Sequence, residues 1–242
     1  MYVQLEGEKI PIITIGTSPF IGAGQFGLNA AIWRNKFLEN TKEMSNLMRI
    51  ANEHGAKGAE IIPIGKIPLA AQYMIEKYPD FSILGSTSWD ELRIDLLAKL
   101  KTKIVFLHGT FSDRRNKEFL ERFISKIRKF GMIPGVATHE PLKTIPFILD
   151  LKLDCPAILL PFNSEGYLMG DKLKLEQLVD ATGEKIFFVG MKTLAAGKIK
   201  PEDAYNYIEK HNISAITVGF VSETEILETV PIALKHLKRD KN

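Results

Sequence analysis

The chain holds one cysteine, Cys155, in 242 residues, so no disulfide can form within it. That usage fits a reducing compartment and excludes the small cystine-stapled scaffolds. Cys155 lies in an apolar segment, where a free thiol packs as a small hydrophobe more often than it reacts. No run of roughly 18 apolar residues occurs, and Glu6, Glu8 and Lys9 stand where a signal peptide would carry its apolar stretch. The expectation is a cytoplasmic protein with no membrane contact. An excess of charge of one sign is also missing: 32 basic and 29 acidic residues leave +3, spread along the chain, so no nucleic-acid partner is expected. The 238–242 tail, Lys-Arg-Asp-Lys-Asn, reads as a solvated end. Finally, no Gly-x-Gly-x-x-Gly turn is expected to follow the first strand, which argues against an open dinucleotide-binding sheet.

What is present is a regular alternation of short apolar runs and amphipathic segments. Met1–Leu5 and Lys9–Ile15 flank Glu6-Gly7-Glu8, a polar turn suited to a hairpin, and Ile10–Ile15 is the first candidate barrel strand. Further strands are expected at Ala59–Ile64, Asp80–Leu84, Lys103–His108, Met132–Ala137, Cys155–Phe162, from Lys185 to Lys192, and at Ser214–Gly219. Runs without a helical period, rich in β-branched and aromatic residues, mark strands buried on both faces. Between them come helices: Lys42–His54 capped by Thr41, Pro68–Lys77, a segment opened by a Ser88/Glu91 capping box and running to Leu100, Arg115–Phe130, one ending near Leu151, Lys172–Thr182, Pro201–Asn212, and a last helix capped by Ser222. Eight strand-helix pairs and a length near the roughly 250 residues of one α/β barrel define the fold class: α/β, a single (β/α)8 TIM barrel over residues 1–242, with an N-terminal β-hairpin closing its bottom. The stretch from Gly16 to Phe26 is too long for a simple connection; its aromatics and a short helix at Asn29–Phe37 make it an ordered flap.

In such a barrel the C-terminal strand ends converge on one mouth, where ligands bind. His108 ends the fourth strand and is suited to act as acid, base or electrophile. Lys192 ends the seventh between Gly190 and Gly197; it can bind an anion, form a Schiff base or exchange a proton, unless it is merely paired with Glu60 or Glu140. Gly190, Gly197 and Gly219 suit a phosphate site on the loops after strands seven and eight. His139 and Glu140 follow strand five, and with His108 they are the weaker alternative of a metal triad. His54, His211 and His236 read as surface or capping residues.

Ile15-Gly16-Thr17, Leu107-His108, Gly135–His139, Pro161-Phe162-Asn163, Met191–Gly197 and Val218–Ser222, taken in this order with the opening hairpin, resemble the aldo-keto reductase superfamily over most of the chain. The resemblance implies a hairpin-closed barrel that reduces carbonyls with NADP(H). It makes His108 the residue that polarises the carbonyl and puts Asn163 and the Lys192 loop beside the cofactor. Position on the rim and its loops adds Thr138, Gly190, Gly197 and Gly219 as cofactor candidates, and Thr17, Ser18, Phe20, His139, Glu140 and Tyr167 as candidates for contact with substrate. The sequence departs from that pattern in four places. Ile61–Lys66 stands where the family has its Asp and proton-donating Tyr, Ser86-Thr87 where it has a Lys, Leu159 where a glutamine holds the nicotinamide, and Ser222-Glu223-Thr224-Glu225 where a basic residue grips the 2′-phosphate. Tyr167 or Lys192 is left as the replacement donor.

The leading expectation is therefore an aldo-keto reductase-like enzyme for a small polar or phosphorylated carbonyl compound, with His108 and Lys192 catalytic, NADP(H) as cofactor and no metal. The alternatives are a metal-assisted hydrolase, lyase or isomerase using His108, His139 and Glu140, and a non-catalytic ligand-binding or assembly barrel whose mouth is built from Phe20, Phe26, Phe162 and Phe220. The sequence sets no oligomeric state.

Overall fold

The computed structural model describes residues 1–87 and 91–237; Ser88, on which the expected Ser88/Glu91 capping box depends, and the charged tail lie outside them. The chain opens with an antiparallel pair, β1 (Tyr2–Leu5) and β2 (Glu8–Pro11), turned at Glu6 and Gly7 with φ of +50° and +83°. The barrel strands follow: β3 (Ile13–Gly16), β4 (Gly58–Ile61), β5 (Ser82–Thr87), β6 (Ile104–Leu107), β7 (Ile133–Ala137), β8 (Ala157–Pro161), β9 (Phe187–Met191) and β10 (Ala215–Gly219). They pair in parallel in chain order, and β10 closes on β3. The expected first strand, Ile10–Ile15, is divided. Ile10 and Pro11 belong to the hairpin, and Pro11, which has no N–H to donate, ends it before the chain enters the barrel at Ile13.

Helices α1 (Asn29–Phe37), α2 (Thr41–Glu53), α3 (Ile67–Lys77), α4 (Glu91–Lys99), α5 (Gly109–Ser112), α6 (Lys117–Lys129), α7 (Pro141–Asp150), α8 (Lys172–Thr182), α9 (Pro201–Ile208) and α10 (Glu223–Leu237) complete the chain. Asn40, not Thr41, caps α2, its side chain accepting from Glu43 N at 3.2 Å. Asn116 caps α6, and Ser222 caps α10 as expected. Among the described residues no helix is long and apolar enough to cross a membrane.

Alternation along each strand sorts the core into two layers. Ile61, Val105, Leu107, Val136, Ile158, Phe188 and Ile216 face the helices. Leu84, Ile104, Phe106, Ile133, Ala157, Leu159, Phe187, Val189 and Ala215 fill the barrel, with Val3, Leu5 and Ile10 of the hairpin packed beneath them. The bottom is thereby plugged, so only the opposite end is open. Cys155 is buried and burial pushes its thiol up to about 12, the behaviour of an inert core residue.

The flap is ordered. Contrary to expectation a Gly-x-Gly-x-x-Gly spacing does follow the first barrel strand, at Gly22-Ala23-Gly24-Gln25-Phe26-Gly27, but Thr17–Ile21 separate it from the strand end. Its outer glycines serve turns: φ is +66° at Gly22 and +55° at Gly27, and a Cβ on Gly22 would lie 2.4 Å from the Ala30 carbonyl oxygen.

Candidate active site

The open end encloses a hollow of about 800 Å³. Its floor takes one residue from each strand or from the residue just beyond it: Gly16, Glu60, Ser86, His108, Ala137, Leu159, Met191 and Thr217. These are the inward positions of the alternation carried to the top of the barrel. His139, Lys192, Ser18 and Pro19 stand above the floor, Phe26 and Trp33 come in from the flap, and Gly197–Pro201, Gly219–Val221, Glu225 and Glu228 line the side beyond β9 and β10.

Lys192 reaches this space through a break in the alternation. Phe188 faces the helices and Gly190 packs beside Ile213 and Ile216, so a continued strand would send Lys192 the same way. Instead its backbone is left-handed, φ +57°, followed by +47° at Ala195 and +60° at Ala196. Conformations of this kind at non-glycine residues cost on the order of 1–3 kcal/mol each and concentrate at functional sites. The Lys192 Nζ has Met191 Sδ at 4.0 Å and makes no direct ion pair with Glu60 or Glu140. Burial lowers its pKa to about 8, against the opposing pull of the Glu60 charge.

Glu60 is 3% exposed. Burial raises its pKa to about 7, with Ser86 and the Lys192 charge offsetting only part of the effect. Its Oε1, Ser86 Oγ and Thr217 Oγ1 are all buried without a hydrogen-bond partner, although buried polar atoms normally have one. All three residues line the hollow.

The two imidazoles lie beside them, ring centroids 6.0 Å apart. His108 caps α5: its Nδ1 accepts from Thr110 N at 3.3 Å and contacts Thr110 Oγ1 at 2.9 Å. With Nδ1 accepting, the neutral ring carries its proton on Nε2. Burial, then the Lys192 charge, lowers the pKa of His108, while Asp113 opposes the shift. The same causes, with His108 added, lower His139. Asp113, on the turn after α5, holds this corner: it accepts from His139 N at 2.8 Å, from Thr144 Oγ1 at 2.8 Å and from Thr138 Oγ1.

Other expected site residues are engaged elsewhere. Glu140 sits on the rim between Arg115, at 2.6 Å, and Lys143, at 3.1 Å, which hold its carboxylate below the usual range, so it does not join the histidines. Among the described residues no group of three or more His, Cys, Asp or Glu is arranged to hold a metal. Thr138 is committed to Asp113. Thr17 is buried and accepts from Ile62 N at 2.9 Å, tying β3 to the segment after β4. Phe20 packs on Phe37 at 4.8 Å and Phe162 on Tyr207 at 5.5 Å, so of the four expected mouth aromatics only Phe26 and Phe220 line it.

Asn163 organises its own loop, donating to Tyr167 O at 3.0 Å and accepting from Tyr167 N at 2.8 Å. Tyr167 itself packs under Lys198 and beside Leu194 and Ala195, outside the hollow. Ser18, His108, His139, Lys192, Gly197 and Gly219 are the expected residues brought together. His211 bonds Asp180, and His236 bonds Glu209 and Glu202, both against the helical layer.

The fold and its mouth define a closed (β/α)8 barrel with a hairpin beneath and a polar site above. No family model and no curated protein matches the chain. Among solved structures, proteins titled as aldo-keto reductases share its fold. A putative aldo-keto reductase from Pseudomonas aeruginosa superposes with a TM-score of 0.74 over 98% of this chain and 96% of that one, at 14% identity. An aldo/keto reductase from Brucella melitensis gives 0.64 over 96% and 93%, at 16% identity. A variant of Gox0644 in complex with NADPH gives 0.67 over 99% and 94%, at 9% identity. At these identities the likeness is one of fold.

Proposed function

We propose that this chain is an oxidoreductase of small polar or phosphorylated carbonyl compounds, with a nicotinamide dinucleotide, NADPH or NADH, as reductant. The observation that carries the reading is the meeting of Glu60, Lys192 and His108 in one hollow, two of them with pKa values displaced toward neutrality. Titratable groups tuned in opposite directions within a cleft are the usual sign of acid-base work.

His108 donates its Nε2 proton as a hydrogen bond to the carbonyl oxygen, and its lowered pKa keeps the ring neutral so that it polarises without protonating. Lys192, charged below about 8, delivers the proton to the oxygen as the bond is reduced. Glu60 returns a proton to the amine. Ser86 and Thr217 fix polar substituents of the substrate from the floor.

The hollow has the size of a cofactor-bearing site, and it runs from the floor past Gly197, Lys198 and Lys200 to Glu225 and Glu228. The two lysines and the open backbone at Gly197, φ +86°, suit a pyrophosphate, and the bound nicotinamide would supply hydride. Glu225 and Glu228 give no grip for a 2′-phosphate, so NADH belongs in the assay beside NADPH. The test is consumption of either reduced cofactor with a panel of short aldehydes and ketones. Turnover with one of them, reduced about 10²- to 10⁴-fold in kcat/KM by His108→Ala, supports the assignment; no consumption with any of them refutes it.

A further inference from the structure

We propose that Lys192 captures a carbonyl compound covalently, as an imine, and that the mouth thereby carries a hydride-independent activity at the carbon next to the carbonyl. This rests on the reading that the mouth takes a carbonyl compound, but it dispenses with the reductant.

Four features carry it. The amine is aimed into the hollow by a left-handed residue where the strand's own alternation would have turned it away. It has no direct carboxylate partner: Met191 Sδ stands at 4.0 Å, and Glu60 acts on it from a distance. Ile62, Leu159 and Met191 line the same hollow, and burial of the amine favours its uncharged nucleophilic form. The Oε1 of Glu60 is buried with no partner at hydrogen-bond distance, and the Ser86 hydroxyl is near enough to lower the carboxyl's pKa; together they supply an acid and a hydroxyl for the oxygen that must leave.

The step balances without any further reagent. The neutral Lys192 amine attacks the carbonyl carbon; the C–N bond forms, the C=O π bond breaks, and one proton passes from nitrogen to oxygen to give a carbinolamine. Glu60 then protonates that hydroxyl, the C–O bond breaks, water leaves, and the iminium cation remains opposite the Glu60 carboxylate. Two neutral buried groups have become an ion pair, so the cation forms beside its counter-charge. A neutral imidazole, His139 or His108, removes a proton from the adjacent carbon, and the enamine takes one back on reversal.

The experiment uses the full chain without nicotinamide. It is incubated with dihydroxyacetone, dihydroxyacetone phosphate or pyruvate, reduced with borohydride, digested and mapped by mass spectrometry. Exchange of the probes' α-protons in D2O is followed in parallel by NMR. The expected result is one adduct, on the peptide containing Lys192, together with α-exchange. Both are absent in Lys192→Arg and Lys192→Met, whose folding is checked by thermal melting, and adduct formation is slowed about 10²-fold or more in Glu60→Gln. No adduct, or labelling spread over surface lysines and unchanged in Lys192→Arg, overturns the proposal. Cofactor consumption without an adduct would leave the reduction standing and remove the imine. An adduct with α-exchange but no cofactor consumption would establish the imine and remove the reduction.

Discussion

Replacing Glu60 by Gln removes the one acid on the floor of the mouth, and its effect on stability is set by where that acid titrates. Folding raises the carboxyl from 4.5 to about 7. At roughly 1.4 kcal/mol per unit the displacement is worth about 3 kcal/mol. Between those two values the folded chain holds a proton that the unfolded chain has released. Stability is therefore fully present below pH 4.5, falls as pH rises toward about 7, and is level above that as far as this group is concerned. Lys192 acts in a separate window. Its pKa falls from 10.5 to about 8 on folding, so the unfolded chain holds more protons between those values and stability rises across them. Glutamine has no proton to lose, so the Gln variant should lack the fall between pH 4.5 and 7 and be more stable than the wild type near pH 7.5. For a chain of this size about 3 kcal/mol corresponds to roughly 6–12 °C in melting temperature. Because the Glu60 charge is what holds the Lys192 value up, the variant's Lys192 should also titrate lower, moving any alkaline loss of rate to lower pH. Melting curves of both proteins from pH 4 to 9 check this. Parallel profiles for wild type and variant would show that Glu60 titrates normally, and the account of the floor would fail.

Other substitutions probe the same frame. Asp113→Ala removes the acceptor shared by His139 N, Thr144 and Thr138 and should cost about 2–4 kcal/mol, read as a lower urea midpoint and a shifted His139 ring resonance. Gly58→Ala would place a Cβ 2.4 Å from the Ser82 carbonyl oxygen and 3.1 Å from Pro11 Cγ; with both neighbours rigid, a loss of about 1–3 kcal/mol is expected from chemical unfolding. Glu140→Gln, which alters only the rim contact with Arg115 and Lys143, should leave turnover and metal content unchanged, whereas a metal triad would be disabled by it.

The hairpin, the order of the eight strands and the flap helix at Asn29–Phe37 were legible because each rests on local signals: a polar turn with glycine, apolar runs of strand length, capping residues. His108 and Lys192 were legible because strand ends converge in a barrel. The floor was harder to see. Glu60 was weighed only as a partner that might silence Lys192, although a lone charge inside an apolar strand is itself a signal. Ser86 enters the sequence reading only as a departure from the family pattern, and Thr217 does not enter it. Counting inward positions two at a time along each strand finds all three. Asn163, Thr138, Thr17 and Phe20 look identical in sequence to site residues, and only the direction of their side chains sends them to a loop, to Asp113, to Ile62 N and to Phe37. The aim of Lys192 depends on one left-handed φ, which no propensity for lysine would suggest.

The claim beneath both functional readings is that the Lys192 amine sits desolvated and without a direct counter-ion in the mouth. Reductive methylation with ¹³C-formaldehyde, assigned by Lys192→Arg, lets its titration be followed directly by NMR. A midpoint near 8, moving lower in Glu60→Gln, is the expected result. A midpoint near 10.5, unmoved by that substitution, would place the amine in solvent and contradict the account.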